Sequence, residues 1–246
     1  MSAGEGANVA ILTALPEERR PILHCMSRAR ALTGAGFRAW AGELGGRKIV
    51  LAETGAGARA AGAAAGELFA RFAPERWVGA GFTGALSHGI AFGSIVVPVE
   101  LAGALAPALD AAMSRRAIDL APGVHPVRAA TSAAIAASSS EKSRLLSAAG
   151  GSLPVVVDME SAAWAGAAGG IPGVLVRVVT DAAEDEIPDF IAASVSAGGA
   201  VDRGRIVRHA LRHPSSIGKL LDLRRRAKFC GERLAGFLET FASRGF

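Results

Sequence analysis

Residues Leu153 to Asp189 read LPVVVDMESAAWAGAAGGIPGVLVRVVTDAAEDEIPD. Two apolar, β-branched runs, Val155–Val157 and Val174–Val179, each run out into acids. The segment between them is alanine-rich and of helical composition, so the stretch predicts strand, helix, strand. Asp158, Glu160 and Asp181 then fall at the carboxyl ends of the strands, the edge at which open α/β sheets bind ligands. Three carboxylates are expected on one rim.

Upstream, Asn8–Leu15 is an apolar run of strand length, and Pro16-Glu17-Glu18 follows it. Proline at a first helical position with acids in the first turn marks a helix start. Glu18 belongs to a site only if it faces the cleft. Otherwise both acids simply favour the helix N-terminus, by about 0.3–1 kcal/mol each. Phe37–Glu43 and Arg47–Glu53 read as a hairpin around Gly45-Gly46. Thr54-Gly-Ala-Gly-Ala-Arg59 then leads into a small-residue helix ending near Phe72. Glycines between a strand and a helix can offer amides to an anion. The pattern is neither a Walker loop nor a dinucleotide fingerprint, and tight helix–strand packing explains it equally well.

Trp77–Val99 carries no formal charge but holds five glycines, His88 and Pro98. A membrane span needs about 20 predominantly apolar residues, so this stretch reads as two strands, Trp77–Phe82 and Gly93–Val99. Ala102–Met113 is low-complexity alanine and leucine and yields no assignment. Val127–Ala130 reads as a short strand. Ser138-Ser139-Ser140-Glu141 opens a helix to about Ala148. Strands alternating with helices give an α/β class. The expected architecture is a single three-layer domain over residues 1–200, with a central mixed, largely parallel sheet flanked by helices.

The 246 residues are half hydrophobic, enough for one large core. The net charge of +5 is unevenly placed, because residues 202–233 hold ten Lys/Arg against three acids. Two helices are expected there, from Asp202 to about Arg212 and from about Ser215 to Phe241. The second has an apolar seam at Leu220, Leu223, Ala227, Cys230, Leu234, Phe237 and Phe241, spaced as heptads. Residues 201–246 thus form a basic amphipathic helical extension. It packs on the parent domain, on another subunit, or on a membrane surface. A basic segment fits an anionic partner. Nucleic acid is not expected, because no aromatic residues interleave with the basic ones. Cys25 and Cys230 make no framework and fit a reducing compartment as buried thiols. No secretory signal is visible, which gives a cytoplasmic expectation. The five histidines are scattered, so no metal and no cofactor is expected.

The residue types already define a chemistry. Asp181 can protonate a leaving group if its surroundings raise its pKa. Glu18 can activate water, and Glu160 can accept hydrogen bonds from a sugar hydroxyl. Such a set suits cleavage of a glycosidic bond.

Four ordered segments carry a resemblance. They are Ile11-Leu-Thr-Ala-Leu-Pro-Glu-Glu18; Gly81-Phe-Thr-Gly-Ala-Leu86 followed by Gly93-Ser-Ile-Val-Val-Pro98; Val157-Asp-Met-Glu-Ser-Ala162; and Arg177-Val-Val-Thr-Asp181. Together they resemble the purine nucleoside phosphorylase and nucleosidase superfamily, on the methylthioadenosine/S-adenosylhomocysteine nucleosidase branch. The resemblance implies that Asp181 protonates purine N7, that Glu160 binds the ribose 2′-hydroxyl with Met159 against the sugar, and that Glu18 activates water. It implies that Phe82, Thr83 and Gly84 line the base pocket. Ser161 or Thr180 would supply a further polar contact. The family's Gly-Asp-x-Phe segment is not visible around Ala130–Ser139, so Phe82 or Trp164 is the expected substitute for its aromatic. Arg59 and Gly57 are the candidates for a phosphate co-substrate.

Val157-Asp-Met-Glu-Ser, Val201-Asp202, Arg212-His-Pro214 and Leu220-Leu-Asp-Leu-Arg224 are similar to the hopanoid-associated phosphorylase subgroup. That resemblance implies removal of adenine from adenosylhopane, a lipid-linked nucleoside, by hydrolysis or phosphorolysis, and a peripheral contact at the inner membrane face. It also implies a homo-oligomer. The alternatives are a methylthioadenosine/S-adenosylhomocysteine nucleosidase and a non-catalytic nucleoside-binding module.

Overall fold

The structure is a computed structural model and describes residues 8–103, 106–194, 202–213 and 216–244. Its strands are β1 (Val9–Thr13), β2 (Ser27–Leu32), β3 (Arg38–Leu44), β4 (Arg47–Glu53), β5 (Arg76–Ala85), β6 (Ile95–Leu101), β7 (His125–Thr131), β8 (Val155–Asp158) and β9 (Gly173–Asp181). Its helices are α1 (Pro16–Cys25), α2 (Ala58–Phe72), α3 (Ala111–Asp119), α4 (Ser139–Ala149), α5 (Ser161–Ala167), α6 (Asp189–Ala192), α7 (Arg203–Arg212) and α8 (Ile217–Arg244).

The strands form one mixed sheet in the order β2-β3-β4-β1-β5-β8-β7-β6-β9, and β9 returns to pair with β5. Five pairings are parallel and four antiparallel. The β3–β4 hairpin turns at Gly45 and Gly46, with φ of +55° and +78°. A two-residue type I′ turn needs both central residues at positive φ, which glycine adopts without penalty. Three elements escaped the sequence patterns: β2, α3 and the four-residue α6. β2 is an exposed edge strand, and the apolar residues of its SRARAL are two alanines and a terminal leucine, too little apolar surface to mark a strand. α3 buries Met113 and Ala117 and is capped by Asp110, whose carboxylate accepts the Met113 N–H at 2.7 Å.

Helices cover both faces. α1, α3 and α8 bury Ile22, Met113, Leu234 and Phe241 against Val9, Ile11, Val78 and Val176. α2 and α5 bury Ala61, Leu68, Phe69 and Trp164 against Ala10, Leu12, Val50 and Leu175. The three-layer α/β expectation is met, with one difference. Because β9 returns to β5, the far half of the sheet closes on itself rather than remaining an open edge.

That closure corrects how the carboxylates meet. β8 and β9 do not lie side by side on one rim; β5 runs between them. β9 runs parallel to β5 and places Asp181 opposite Gly84. β8 comes from the other direction, antiparallel, and places Val157 opposite the same Gly84. The two strand ends converge head to head.

The heptad seam of α8 turns inward. Cys230, Leu234, Phe237 and Phe241 are buried, while Leu220, Leu223 and Ala227 are half-buried. Gly231 lets α8 press on α1: a Cβ there would lie 2.7 Å from the Glu17 carbonyl oxygen. Cys230 is buried as expected, but Cys25 is only half-buried. Phe241 has no exposed surface, so Phe241→Ala should cost about 3–5 kcal/mol. Urea denaturation should show this as an earlier single transition. A separate early transition would mean that α8 unfolds on its own.

Candidate active site

The head-to-head meeting at Gly84 opens a cavity of about 230 Å³. Glu18, Phe82, Thr83, Gly84, Met159, Glu160, Thr180 and Asp181 all line it. All eight are site candidates from the sequence.

Glu18 stands in the first turn of α1, begun by Pro16. Its side chain folds back, and Oε2 accepts the Ala14 and Leu15 amides at 2.8 and 2.9 Å. Oε1 accepts the Phe82 amide at 2.8 Å, tying α1 to β5. Burial pushes its pKa up, against the lowering by the Phe82 amide, Arg177 and the other amides. A side chain on Gly81 has no room: its Cβ would lie 2.5 Å from Arg177 Nη1 and 2.7 Å from Glu18 Oε1. A Cβ on Gly84 would lie 2.8 Å from Asp181 Oδ2. The glycines of this strand make space for charged groups.

Arg177 on β9 is fully buried. Its Nη2 lies 2.7 Å from Asp158 Oδ2 and donates to Ser161 Oγ at 2.7 Å. The guanidinium sits 4.8 Å over the Trp164 ring. Asp158 Oδ1 accepts the Glu160 and Ser161 amides at 3.2 and 3.0 Å, closing the start of α5. Glu160 is thereby held at the mouth of α5, and its Oε1 accepts the Gly57 amide at 2.7 Å. Burial and the neighbouring Asp158 push the Glu160 pKa up to about 7, against Arg177 and Gly57.

Asp181 ends β9. Its Oδ2 is 2.7 Å from Lys142 Nζ, and its Oδ1 accepts the Thr180 hydroxyl at 2.9 Å. Burial raises its pKa despite the opposing Lys142 ammonium. Thr83 donates to the Val157 carbonyl at 2.8 Å, linking β5 to β8 beside the cavity. Ala134, Ile135 and Ala136 also line the cavity, aliphatic where the family resemblance places an aromatic segment.

Four expectations are corrected by this geometry. Arg59 is exposed at the start of α2 and does not line the cavity. Gly57 presents its amide to Glu160, so these two residues do not form a free anion cradle. Ser161 is fully buried, donates to Asp158 and accepts from Arg177, so its hydroxyl is not available to a ligand. Trp164 is also fully buried, donates to Thr54, and lies under Arg177 rather than in the cavity. Two residues that the sequence reading did not single out matter here, Arg177 and Lys142. Arg177 was visible as a lone charge inside a β-branched run, a pattern that needs a buried partner. Lys142 had no such signal, since a lysine after a capped helix start reads as a solvated face. Among the described residues no group of three or more His, Cys, Asp or Glu side chains is placed to hold a metal ion.

A fold of this kind, with a carboxylate-lined cavity where β5, β8 and β9 meet, defines a class. The Phosphorylase superfamily matches residues 8–206, and the chain belongs to that superfamily. The chain is similar to the 5′-methylthioadenosine/S-adenosylhomocysteine nucleosidase of Pseudoalteromonas translucida (strain TAC 125), 31% identical over 94 residues, or 38% of this chain and 40% of that protein. A nucleosidase of the same name from Bacillus anthracis is 28% identical over 93 residues, covering 38% of this chain and 40% of its own. The matched stretch thus spans about two fifths of these curated relatives. The solved S. pneumoniae nucleosidase of that name, bound to a transition-state inhibitor, superposes with a TM-score of 0.74 at 20% identity, covering 96% and 98% of the two chains. Futalosine hydrolase of Helicobacter pylori strain 26695 superposes at 0.73 with 15% identity, covering 96% and 97%. At those identities the structures share the fold.

The raised Glu160 pKa has a consequence for stability. The folded state holds this proton to about pH 7, whereas an unfolded glutamate releases it near the ordinary carboxyl value of 4.5. The folded state therefore binds more protons between those values, and stability falls as pH rises through that window. Glu18 and Asp181, also raised, act in the same direction. Glu160→Gln should flatten the fall in melting temperature across that window, between about pH 4.5 and about pH 7. An unchanged slope would show that Glu160 is ionised in the folded protein throughout.

Proposed function

We propose that this chain cleaves the N-glycosidic bond between adenine and ribose in an adenosine-type nucleoside. The observation that carries this reading is that Asp181, Glu160 and Glu18 line one small cavity whose other walls are largely apolar. Asp181, with its pKa raised, gives a proton to N7 of the base. The base then leaves with the C1′–N9 electron pair. Glu160, whose Oε1 is taken by Gly57, offers Oε2 to the ribose 2′-hydroxyl. Glu18 takes the proton of the attacking water. Met159 lies against the sugar, Phe82 and Ile135 flank the base, and Thr83, Gly84 and Thr180 complete the pocket. Burial strengthens each of these interactions, because the medium around the reacting atoms is of low dielectric constant.

Water is the nucleophile in this reading. No lysine, arginine or histidine lines the cavity among the described residues. A phosphate dianion would enter a space bordered by Glu18, Glu160 and Asp181 and meet repulsion. Arg59 lies outside it.

We infer further that the nucleoside is lipid-linked, with adenosylhopane as the candidate. The likeness of residues 201–224 to the hopanoid-associated subgroup supports this. So does the surface beside the site. Ile187 lines the active cavity and also a larger one of about 620 Å³, bounded by Phe190, His209, His213 and Lys219. Leu211, Ile217, Leu221 and Phe229 are exposed on α7 and α8, among the basic residues of that segment. Such a face fits peripheral contact with an anionic bilayer at the cytoplasmic side. No described helix is long and apolar enough to cross a membrane. A homo-oligomer is the expected assembly. The second reading, a methylthioadenosine/S-adenosylhomocysteine nucleosidase, is favoured by the relatives of that name.

Adenine release from adenosylhopane and from methylthioadenosine, each with and without phosphate, tests both readings. Faster release from the lipid substrate than from methylthioadenosine, independent of phosphate, is expected. Preference for the thioether would establish the second reading, and absence of release from both would leave a nucleoside-binding module. Asp181→Asn should lower turnover by about 10²–10⁴-fold; unchanged turnover would remove it as the acid. Glu160→Gln should impair ribosides far more than 2′-deoxyribosides, and equal losses would remove its sugar role. Sedimentation with phosphatidylglycerol vesicles at low salt should carry the protein down. Its remaining in solution would end the membrane proposal.

A further inference from the structure

One buried charge at this site takes no part in the steps above. Lys142 follows the capping box that starts α4, in which Ser138 Oγ accepts the Glu141 amide and Glu141 accepts the Ser138 amide. Fixing that first turn aims Lys142 inward, and its side chain is only 2% exposed. Its ammonium has three protons and meets three acceptors: Asp181 Oδ2 at 2.7 Å, the Ala182 carbonyl at 2.6 Å and the Asp185 carbonyl at 2.9 Å. No donor is left over for a ligand, and Lys142 does not line the cavity. A lone lysine clamping two carbonyls would be a loop fastener. Here the third acceptor is the carboxyl assigned as the acid.

We propose that Lys142 is a positioning residue for proton transfer: its ammonium holds Asp181 by Oδ2 and stabilises the carboxylate that remains once the proton has left. The proposal rests on the reading of Asp181 as the general acid. In the step, the Asp181 proton moves to base N7 and the C1′–N9 bond breaks with its electrons going to the base. Water oxygen bonds to C1′, and its proton passes to Glu18. Asp181 goes from neutral to negative, so a fixed cation 2.7 Å away favours the transition state over the ground state. Arrangement and charge act together, because the same ammonium pins the backbone that follows the acid.

Several groups face Asp181. Lys142 approaches from α4, and Asp185 from the following loop. Cys230 approaches from α8 and feels the Asp181 charge. Glu18 and Glu160 line the same cavity. Burial and Asp185 push the carboxyl toward its neutral form, and Lys142 is the main opposing influence, with Thr180 contributing less. Without the ammonium the acid would keep its proton to higher pH and release it less readily.

The test uses the full chain, Lys142→Met, and two substrates: methylthioadenosine and its N7-methyl derivative, in which the base already carries the charge that protonation supplies. On methylthioadenosine, Lys142→Met should lose about 10²-fold in kcat with KM nearly unchanged, and the alkaline limb of the kcat–pH profile should move upward. On the N7-methyl substrate it should lose less than about threefold, since no acid is needed. Added ethylammonium should restore part of the lost rate in Lys142→Ala. Equal losses on the two substrates, or no loss on either, would overturn the proposal and leave a structural clamp. If Lys142→Met does not fold, Lys142→Arg carries the test. It should keep kcat on methylthioadenosine within about tenfold and leave the alkaline limb in place. Its losing both substrates alike would be the contrary result. Asp181→Asn separates the two levels. If it too loses both substrates equally, the acid assignment fails, and the role of Lys142 falls with it. If it spares only the N7-methyl substrate while Lys142→Met spares neither, Asp181 stands and Lys142 alone is refuted.

Discussion

The guanidinium of Arg177 is the interaction on which the site depends. It is fully buried and bonds Asp158 directly, and it lowers the pKa of both Glu18 and Glu160 through space. Around the cavity stand four carboxyls, Glu18, Asp158, Glu160 and Asp181, and two buried cations, Arg177 and Lys142. Two negative charges would remain if every acid were ionised. Uncompensated charge in a buried place is costly. Protons relieve it: burial raises Glu18, Glu160 and Asp181 alike. A site that must hold protons to be stable is well suited to giving one away.

The backbone that makes room for this charge is β5. Gly79 passes Trp164 and Leu175, Gly81 passes Arg177 and Glu18, and Gly84 faces Asp181. A Cβ at any of these would come within 3.0 Å of a neighbouring side chain. β5 therefore serves as both a central strand and a charged wall. Its pairing changes along its length, with β1 at its start and β8 at its end, which lets β8 and β9 meet from opposite sides. A strand with ordinary side chains could not sit so near both carboxyl ends.

Much of this was legible in the sequence, because the signals were local. Apolar runs bounded by acids marked β8 and β9, and proline with two glutamates marked the start of α1. Glycines at 45 and 46 marked the hairpin turn, and the serine–glutamate box marked α4. What was not legible depends on partners far apart in the chain. β2 takes its strand form from β3, not from its own residues. The head-to-head approach of β8 and β9 depends on the sheet closing through β6 and β7. The family resemblance turns Ser161, Trp164 and Gly57 toward a ligand. Arg177, Thr54 and Glu160 engage them instead, partners whose proximity only the fold reveals.

The tail is tied into the same framework. Asp185, whose carbonyl receives Lys142, uses its carboxylate to accept the Ala182 amide at 3.1 Å and Arg226 of α8 at 3.1 Å. The Arg226 guanidinium lies 5.1 Å from the centre of the Phe92 ring, which stacks on Phe229 of α8 at 5.5 Å. Glu184, one residue earlier, pairs with His88 on the loop after β5. The segment following the acid is thus bonded on one side to a buried lysine and on the other to a helix whose outer face is basic and partly apolar. An exposed ion pair contributes little to stability by itself. Several such contacts converging on five residues, however, restrict where the backbone after Asp181 can go. That restriction keeps the carboxyl of Asp181 within the cavity and within reach of Lys142.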